Sequence, residues 1–309
     1  MLREALSERA GISVKRLDYL QYNASRMYKD FTIPKRNGEP RKIAQPTPEL
    51  KAIQRWLVSA LFSRLPTHGC ATAYKKGASI RLNAQVHAAS LFTLHIDFKD
   101  FFPSFSREHV INYLNTTTKL SPDDILFCAD LVCRHGRLTI GAPSSPAVTN
   151  ALMYSFDMNI AKWCEAKGLV YSRYADDLNI SSFAAGQLTD GLDVIKGFSS
   201  EFNYADLVIN DSKTVFLSRK YKRSITGLNI TPDGYLSIGR DRKREIKSLI
   251  HSAMVGTLPA DQKWRAGGLI AFAYDAEPNF VISLRLKYGD KIIDELLHQK
   301  TPRGLNPKL

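Results

Sequence analysis

The stretch that most restricts this chain is Tyr174-Ala175-Asp176-Asp177, set between Gly168 and Ile180. Apolar Leu169 and Tyr171 before it, and Leu178 and Ile180 after it, alternate with polar residues. That period of two belongs to half-buried strands. The pattern predicts a short β-hairpin with Ala175 and Asp176 at its tip and both carboxylates at its exposed end. Adjacent acids repel each other unless a cation lies between them. Hard divalent ions take oxygen ligands, often one or two carboxylates plus substrate phosphates. Taken alone, the four residues read equally well as a solvated Asp-Asp turn and as a metal site.

A second acid shifts that balance. Leu91 to Phe98 reads as another strand, with Leu94, Ile96 and Phe98 on one side and His95 and Asp97 on the other. Asp97 is a lone charge inside an apolar strand, and buried carboxylates are rare unless paired or metal-bound. One acid from a first strand and a pair from a later hairpin can converge around two metals. Two metals about 4 Å apart clamp the attacking and leaving oxygens of an in-line phosphoryl displacement.

Three segments together resemble the successive palm motifs of reverse transcriptases: Ile96-Asp97-Phe98-Lys99-Asp100-Phe101-Phe102-Pro103-Ser104, Gly141-Ala142-Pro143-Ser144-Ser145-Pro146 and Tyr174 to Asp177. Asn83-Ala84-Gln85-Val86-His87 and Ser224-Ile225-Thr226-Gly227 resemble two further signatures of the bacterial retron enzymes, with Ile225 where Val is usual. The resemblance implies an α+β right-hand polymerase. Fingers and palm with an antiparallel sheet would occupy residues 1–225, and a helical, nucleic-acid-binding thumb residues 226–309. It implies that Asp97, Asp176 and Asp177 are catalytic and, with Phe98, hold two Mg²⁺. It implies a nucleotide site made by Arg41, Lys35, Phe102, Gly141 and Lys213, with Arg41 on the triphosphate, Phe102 against the sugar and Lys213 near the leaving pyrophosphate. Asn83, His87, Ile225, Thr226 and Gly227 would then face RNA. The implied substrates are deoxynucleoside triphosphates and a dedicated structured non-coding RNA. A guanosine 2′-hydroxyl of that RNA would prime a branched RNA–DNA product (msDNA) that serves antiphage defence with a separate effector protein. The family usually has Gln just before Gly141, where this chain has Ile140; that leaves the details of nucleotide contact open and the chemistry unaffected.

Charge supports a polyanionic partner. The 309 residues carry 43 Lys and Arg against 30 Asp and Glu, a net +13. Phosphate contacts from Lys and Arg dominate nucleic-acid affinity. No apolar run reaches the roughly 18 residues of a membrane span, and the charged start Met1 to Arg9 lacks a signal peptide's apolar segment. A cytoplasmic protein without a membrane partner is expected. Cys70, Cys128, Cys133 and Cys164 are scattered, with no zinc-site spacing, and most are expected to be buried free thiols.

Along the chain, residues 1–30 read as amphipathic helices. A helix-turn-helix over Leu6–Leu17 is disfavoured, because two short helices joined at a Gly are commonplace. Phe31 to Ile43 reads as a basic hairpin turning at Asn37-Gly38. Pro48 starts a helix with Leu50, Ile53, Leu57 and Leu61 on its apolar face. On spacing alone, Asn83 and His87 make a hydrogen-bonded structural pair rather than a metal site. Ser121-Pro122 opens a helix, so Asp123 and Asp124 are terminus acids. Arg240 to Ile250 is a basic helix with Ile246, Leu249 and Ile250 as its buried stripe. Two rivals stand beside the retron reading. An intron-encoded reverse transcriptase is disfavoured by the short chain, and a non-catalytic RNA-binding scaffold by the intact acids.

Overall fold

The computed structural model describes residues 2–34, 38–221 and 223–299. The chain forms two compact units: residues up to Ala78 with Leu94–Phe216, and Ser79–Thr93 with the residues from Leu217 onward. The division expected at residue 225 placed 79–93 and 217–225 with the first part; by contacts they group with the second.

Numbered along the whole chain, the first unit begins with α1 (Leu2–Ala10), α2 (Val14–Asn23), β1 (Tyr28–Pro34), β2 (Pro40–Pro46) and α3 (Pro48–Ala60). β1 and β2 pair antiparallel from Tyr28 opposite Pro46 to Pro34 opposite Pro40. Asn37 and Lys35 lie outside the described residues. In α3 Pro48 occupies the first turn, where its missing N–H costs nothing. Leu50, Ile53 and Leu57 of α3 are buried, each stabilising by about 1.5–3 kcal/mol. Leu61 caps the helix instead of extending its face.

The second unit contributes α4 (Ile80–Gln85), and β3 (Phe92–Lys99) carries the chain back into the first. There follow α5 (Arg107–Thr117), α6 (Pro122–Val132), α7 (Ser145–Leu152), α8 (Tyr154–Ala166), β4 (Val170–Tyr174), β5 (Asp177–Ser182), α9 (Gly191–Ser200), β6 (Val208–Ile209) and β7 (Val215–Ser218). The strands β4, β5, β3 and β6 lie side by side in that order. The acids expected at a helix terminus are there, and Asp124 does more. Buried, it accepts the backbone N–H groups of Leu2 and Arg3 at 2.9 and 3.1 Å, capping α1 across the fold. Gln54 ties α3 to α6 by donating to the Leu131 carbonyl at 2.8 Å.

In the second unit β8 (Arg223–Ile225), β9 (Leu228–Ile230) and β10 (Leu236–Ser237) form an antiparallel sheet. Then come α10 (Arg240–Met254), α11 (Ala260–Ala276), α12 (Pro278–Tyr288) and α13 (Asp290–Leu297). As the spacing predicted, α10 buries Ile246, Leu249 and Ile250. They join Leu228, Ile270, Val281, Leu284 and Ile293 in one core. α11 reaches α13 at Gly267, where an added Cβ would run into the Leu296 carbonyl. All four cysteines are free and Cys128, Cys133 and Cys164 are buried. Among the described residues no helix is long and apolar enough to cross a membrane.

Candidate active site

β4 and β5 pair with Tyr174 opposite Asp177, which leaves Ala175 and Asp176 as the turn. Ala175 alone of the pair has a positive φ, 58°. This is the II′ pattern, whose twist matches that of the flanking strands. A Cβ there costs about 1–2 kcal/mol, so the turn must be held. Arg173 Nη1 donates to the Ala175 carbonyl at 3.1 Å, and the Phe98 N–H donates to the Asp176 carbonyl at 3.2 Å. Arg173 is itself fully buried against Asp157, with Nε–Oδ1 at 2.8 Å and Nη2–Oδ2 at 2.7 Å. Tyr171 adds its hydroxyl to Asp157 at 2.9 Å, and Asn150 Oδ1 accepts from Arg173 at 3.3 Å. A buried ion pair is tolerable only when its remaining donors and acceptors are satisfied in this way. The tip is less open than the sequence suggested: Ala175 is buried and both acids are half-buried.

Asp97 of β3 is 4% exposed. The pairing of Phe98 with Ile209 brings in the residues after β6. Asn210 Nδ2 donates to Asp97 Oδ1 at 3.0 Å, and Lys213 Nζ lies 2.9 and 3.0 Å from the two carboxylate oxygens. Burial, with Asp97 nearby, raises the Asp176 carboxyl against the opposing charges of Lys213 and Arg41. Asp177 is pushed up to about 6 by burial and by Asp176 and Asp97, although His95 opposes this. His95 Nε2 stands 3.6 Å from Asp177 Oδ1, and its Nδ1 shares a hydrogen bond with Asn179 Oδ1 at 3.0 Å. The cluster is therefore short of positive charge, the electrostatic condition of a cation site. Among the described residues no group of three or more His, Cys, Asp or Glu side chains is arranged as a ready metal cage. The Lys213 ammonium closes Asp97 instead. The all-carboxylate donor set suits a hard divalent ion, and the Lys213 side chain, 61% exposed, has solvent to withdraw into.

Arg41, exposed on β2, completes the positive side of the site. β2 is anchored there by Ala44, whose N–H donates to the Ile140 carbonyl at 2.9 Å. Gly141 allows this approach: its φ is 107°, and an added Cβ would lie 2.6 Å from the Ala44 carbonyl oxygen. Phe102 is half-buried, its ring 5.7 Å from Phe101 and 6.3 Å from Tyr74. Lys35 lies outside the described residues.

Residues 33–230 match the family described as reverse transcriptase (RNA-dependent DNA polymerase). The Retron Ec83 reverse transcriptase of Escherichia coli is 36% identical over 278 residues, 87% of this chain and 89% of that one. The chain is a retron reverse transcriptase. The Retron Ec86 reverse transcriptase of Escherichia coli is 30% identical over 293 residues, 92% of this chain and 89% of that one. The fold extends further: a telomerase from Candida tropicalis, solved with a fragment of telomeric RNA, superposes with a TM-score of 0.52 at 13% identity over 91% of this chain and 57% of that one. As a reverse transcriptase the protein is an RNA-directed DNA polymerase, of a class that depends on divalent metal.

In this retron reverse transcriptase the two outlying signatures meet inside the second unit. Asn83, His87 and Ile225 are fully buried, so none of them offers surface to an RNA. Asn83 and His87 belong to the interior of the second unit. Thr226 Oγ1 donates to the Ile80 carbonyl at 3.1 Å, fastening the β8–β9 turn onto α4. That turn has positive φ at both Thr226 and Gly227, 47° and 80°, the type I′ pattern. Gly227 is exposed, and its carbonyl accepts from Arg242 at 3.1 Å. Buried Arg223 reaches the Ser90 and Ala88 carbonyls from the same sheet.

Sequence reasoning missed Arg173, Asp157, Asn150, Asn210 and Tyr74. Arg173 carried a faint signal, as a charge breaking the inward register of an otherwise ordinary strand. His95 was visible, because it shares the Asp97 side of β3.

Proposed function

We propose that this reverse transcriptase copies one dedicated structured RNA into DNA, starting from a 2′-hydroxyl of that RNA and leaving a branched RNA–DNA product. The observation that carries this reading is similarity to retron enzymes over most of the chain's length. The net charge of +13 supports a polyanionic partner. Folded RNA is usually recognised by shape and unpaired loops, and the Thr226-Gly227 turn, exposed at Gly227 and flanked by Arg242, is an element of the second unit that could make such contact. The reading extends to a cytoplasmic role in antiphage defence with a separate effector protein.

At the site, Asp97, Asp176 and Asp177, with Phe98 alongside, would hold two Mg²⁺, whose chemistry there would be a lowered pKa of the primer hydroxyl and neutralisation of triphosphate charge. Asp177 also orients its neighbour across the turn. Arg41, with Lys35 from the same basic run, meets the triphosphate through a guanidinium fork suited to bidentate contact. Gly141 keeps the floor beneath the nucleotide low. Phe102 stands against the sugar and leaves no room for a ribose 2′-hydroxyl. Lys213, freed from Asp97, protonates the leaving pyrophosphate.

The test is to purify the protein from its native host, extract bound nucleic acid, and run it before and after RNase and then after a debranching enzyme. A discrete DNA band after RNase, whose mobility changes again once a 2′–5′ link is cut, is expected. Heterogeneous RNA without attached DNA would contradict the proposal.

A further inference from the structure

Tyr74 holds a left-handed backbone, φ 62°, which is strained for a bulky aromatic residue. The residue as a whole is nevertheless 48% exposed, so close packing in a core does not account for the strain. The ring meets Phe102 at 6.3 Å between centroids, with planes 42° apart. The two rings are tilted rather than stacked, and both keep exposed surface. Burial, then the negative charge of Asp176, pushes the phenol up to about 12, with Arg173 and then Arg41 opposing. The hydroxyl therefore stays protonated at neutral pH, within the field of both the metal-binding turn and the Arg41 guanidinium.

The strained peptide is held from behind. Asn150 Nδ2 donates to the Ala73 carbonyl at 2.9 Å, and Asn150 Oδ1 accepts from Arg173 at 3.3 Å. The N–H and Oγ1 of Thr72 both donate to the Arg173 carbonyl, at 2.8 and 3.1 Å. Arg173 also fixes the Ala175 carbonyl. One buried network thus sets both the turn that carries Asp176 and the peptide that aims Tyr74. Strain supported in this way clusters at ligand-contacting positions.

We propose that Tyr74 is a substrate-contacting residue whose ring, together with Phe102, forms an aromatic wall against the incoming deoxynucleoside triphosphate. The proposal rests on the nucleotide-site reading above. Phe102 faces the sugar and selects it; Tyr74 stacks on the nucleotide without regard to the 2′-hydroxyl. Loss of one aromatic stacking contact weakens nucleotide binding by about 5- to 100-fold.

The test is single-nucleotide incorporation by the full chain on a primed RNA template, alongside thermal unfolding. Tyr74→Ala should raise KM for deoxynucleotides and ribonucleotides by the same factor, about 5- to 100-fold, with kcat changed less than about 3-fold. Tyr74→Phe should restore KM. Tyr74→Gly accepts the left-handed backbone without strain, so it should raise KM while holding or raising the melting temperature. Phe102→Ala, by contrast, should narrow the gap between the two sugar types. An unchanged KM in Tyr74→Ala, or a fall in kcat together with melting temperature, would overturn the proposal and leave Tyr74 a structural support. Asp176→Asn separates the two readings: if wild type incorporates nucleotides and this variant does not, the polymerase reading stands whatever Tyr74 does. A wild-type chain that incorporates none overturns both.

Discussion

Lys213 Nζ spans the two carboxylate oxygens of Asp97 at 2.9 and 3.0 Å, so a mostly solvated cation closes an almost fully buried acid. In the proposed chemistry the same ammonium must give way to a divalent ion and then serve the leaving group. The contact is therefore a competitor of metal binding as well as a stabiliser of the metal-free protein.

Replacing Lys213 separates those roles. Lys213→Gln should lower the melting temperature in EDTA, because Asp97 loses its charged partner in a desolvated setting. It should also enlarge the rise in melting temperature on adding Mg²⁺, since no ammonium is displaced. Loss of the proposed proton donor should cut kcat by about 100-fold or more. Thermal unfolding with and without Mg²⁺, plus single-turnover primer extension, checks all three; an Mg²⁺ response equal to that of wild type would speak against competition at Asp97.

The Arg173–Asp157 pair gives a stability prediction. Both side chains are fully buried, and Asp157→Asn leaves a guanidinium there without its counter-charge. The expected loss is about 3–5 kcal/mol in urea unfolding. A loss below about 1 kcal/mol would mean that Arg173 finds another partner or water once Asp157 is neutral.

The hairpin was legible because Leu169, Tyr171, Leu178 and Ile180 alternate strictly, so the strand period placed the turn at Ala175-Asp176, where the observed register puts it. Asp97 was legible as a charge in an apolar strand. The α10 stripe followed from spacing and is buried as expected. The support beneath the turn was not legible. Arg173 finds Asp157 in α8, 16 residues away, and Asn150 in α7, 23 away, and no short motif encodes such partners. The placement of 79–93 was hidden for the same reason. α4 is too short to declare a face of its own, and its partner turn at Thr226 comes 146 residues after Ile80. Asn83 and His87 therefore looked available for RNA when tertiary packing had buried them.

That burial carries a pH signature. Desolvation, with Arg223 adding to it, holds His87 down at about 3, against 6.5 for a free imidazole. Between those values the unfolded chain takes up a proton that the folded chain refuses, so stability rises with pH across the window. The contribution is complete above pH 6.5 and lost as pH falls, at about 1.4 kcal/mol per pH unit. From pH 6.5 to 5 the wild type should lose about 2 kcal/mol through this group. His87→Gln should be less stable at pH 7.5 yet show a flatter fall over that range, as read by urea unfolding at several pH values. Parallel pH curves would place the acid sensitivity elsewhere.

The most direct test of the site is Asp176→Asn, assayed for primer extension on an RNA template with Mg²⁺ and, in parallel, for unfolding in EDTA. The carboxyl of Asp176 is raised by burial and by Asp97, so its charge burdens the metal-free fold. The amide should leave the melting temperature unchanged or slightly higher while DNA synthesis falls by at least about 1,000-fold, as expected for loss of metal-held transition-state stabilisation. A folded Asp176→Asn variant that still synthesises DNA at the wild-type rate would contradict the assignment of this turn as the catalytic metal site.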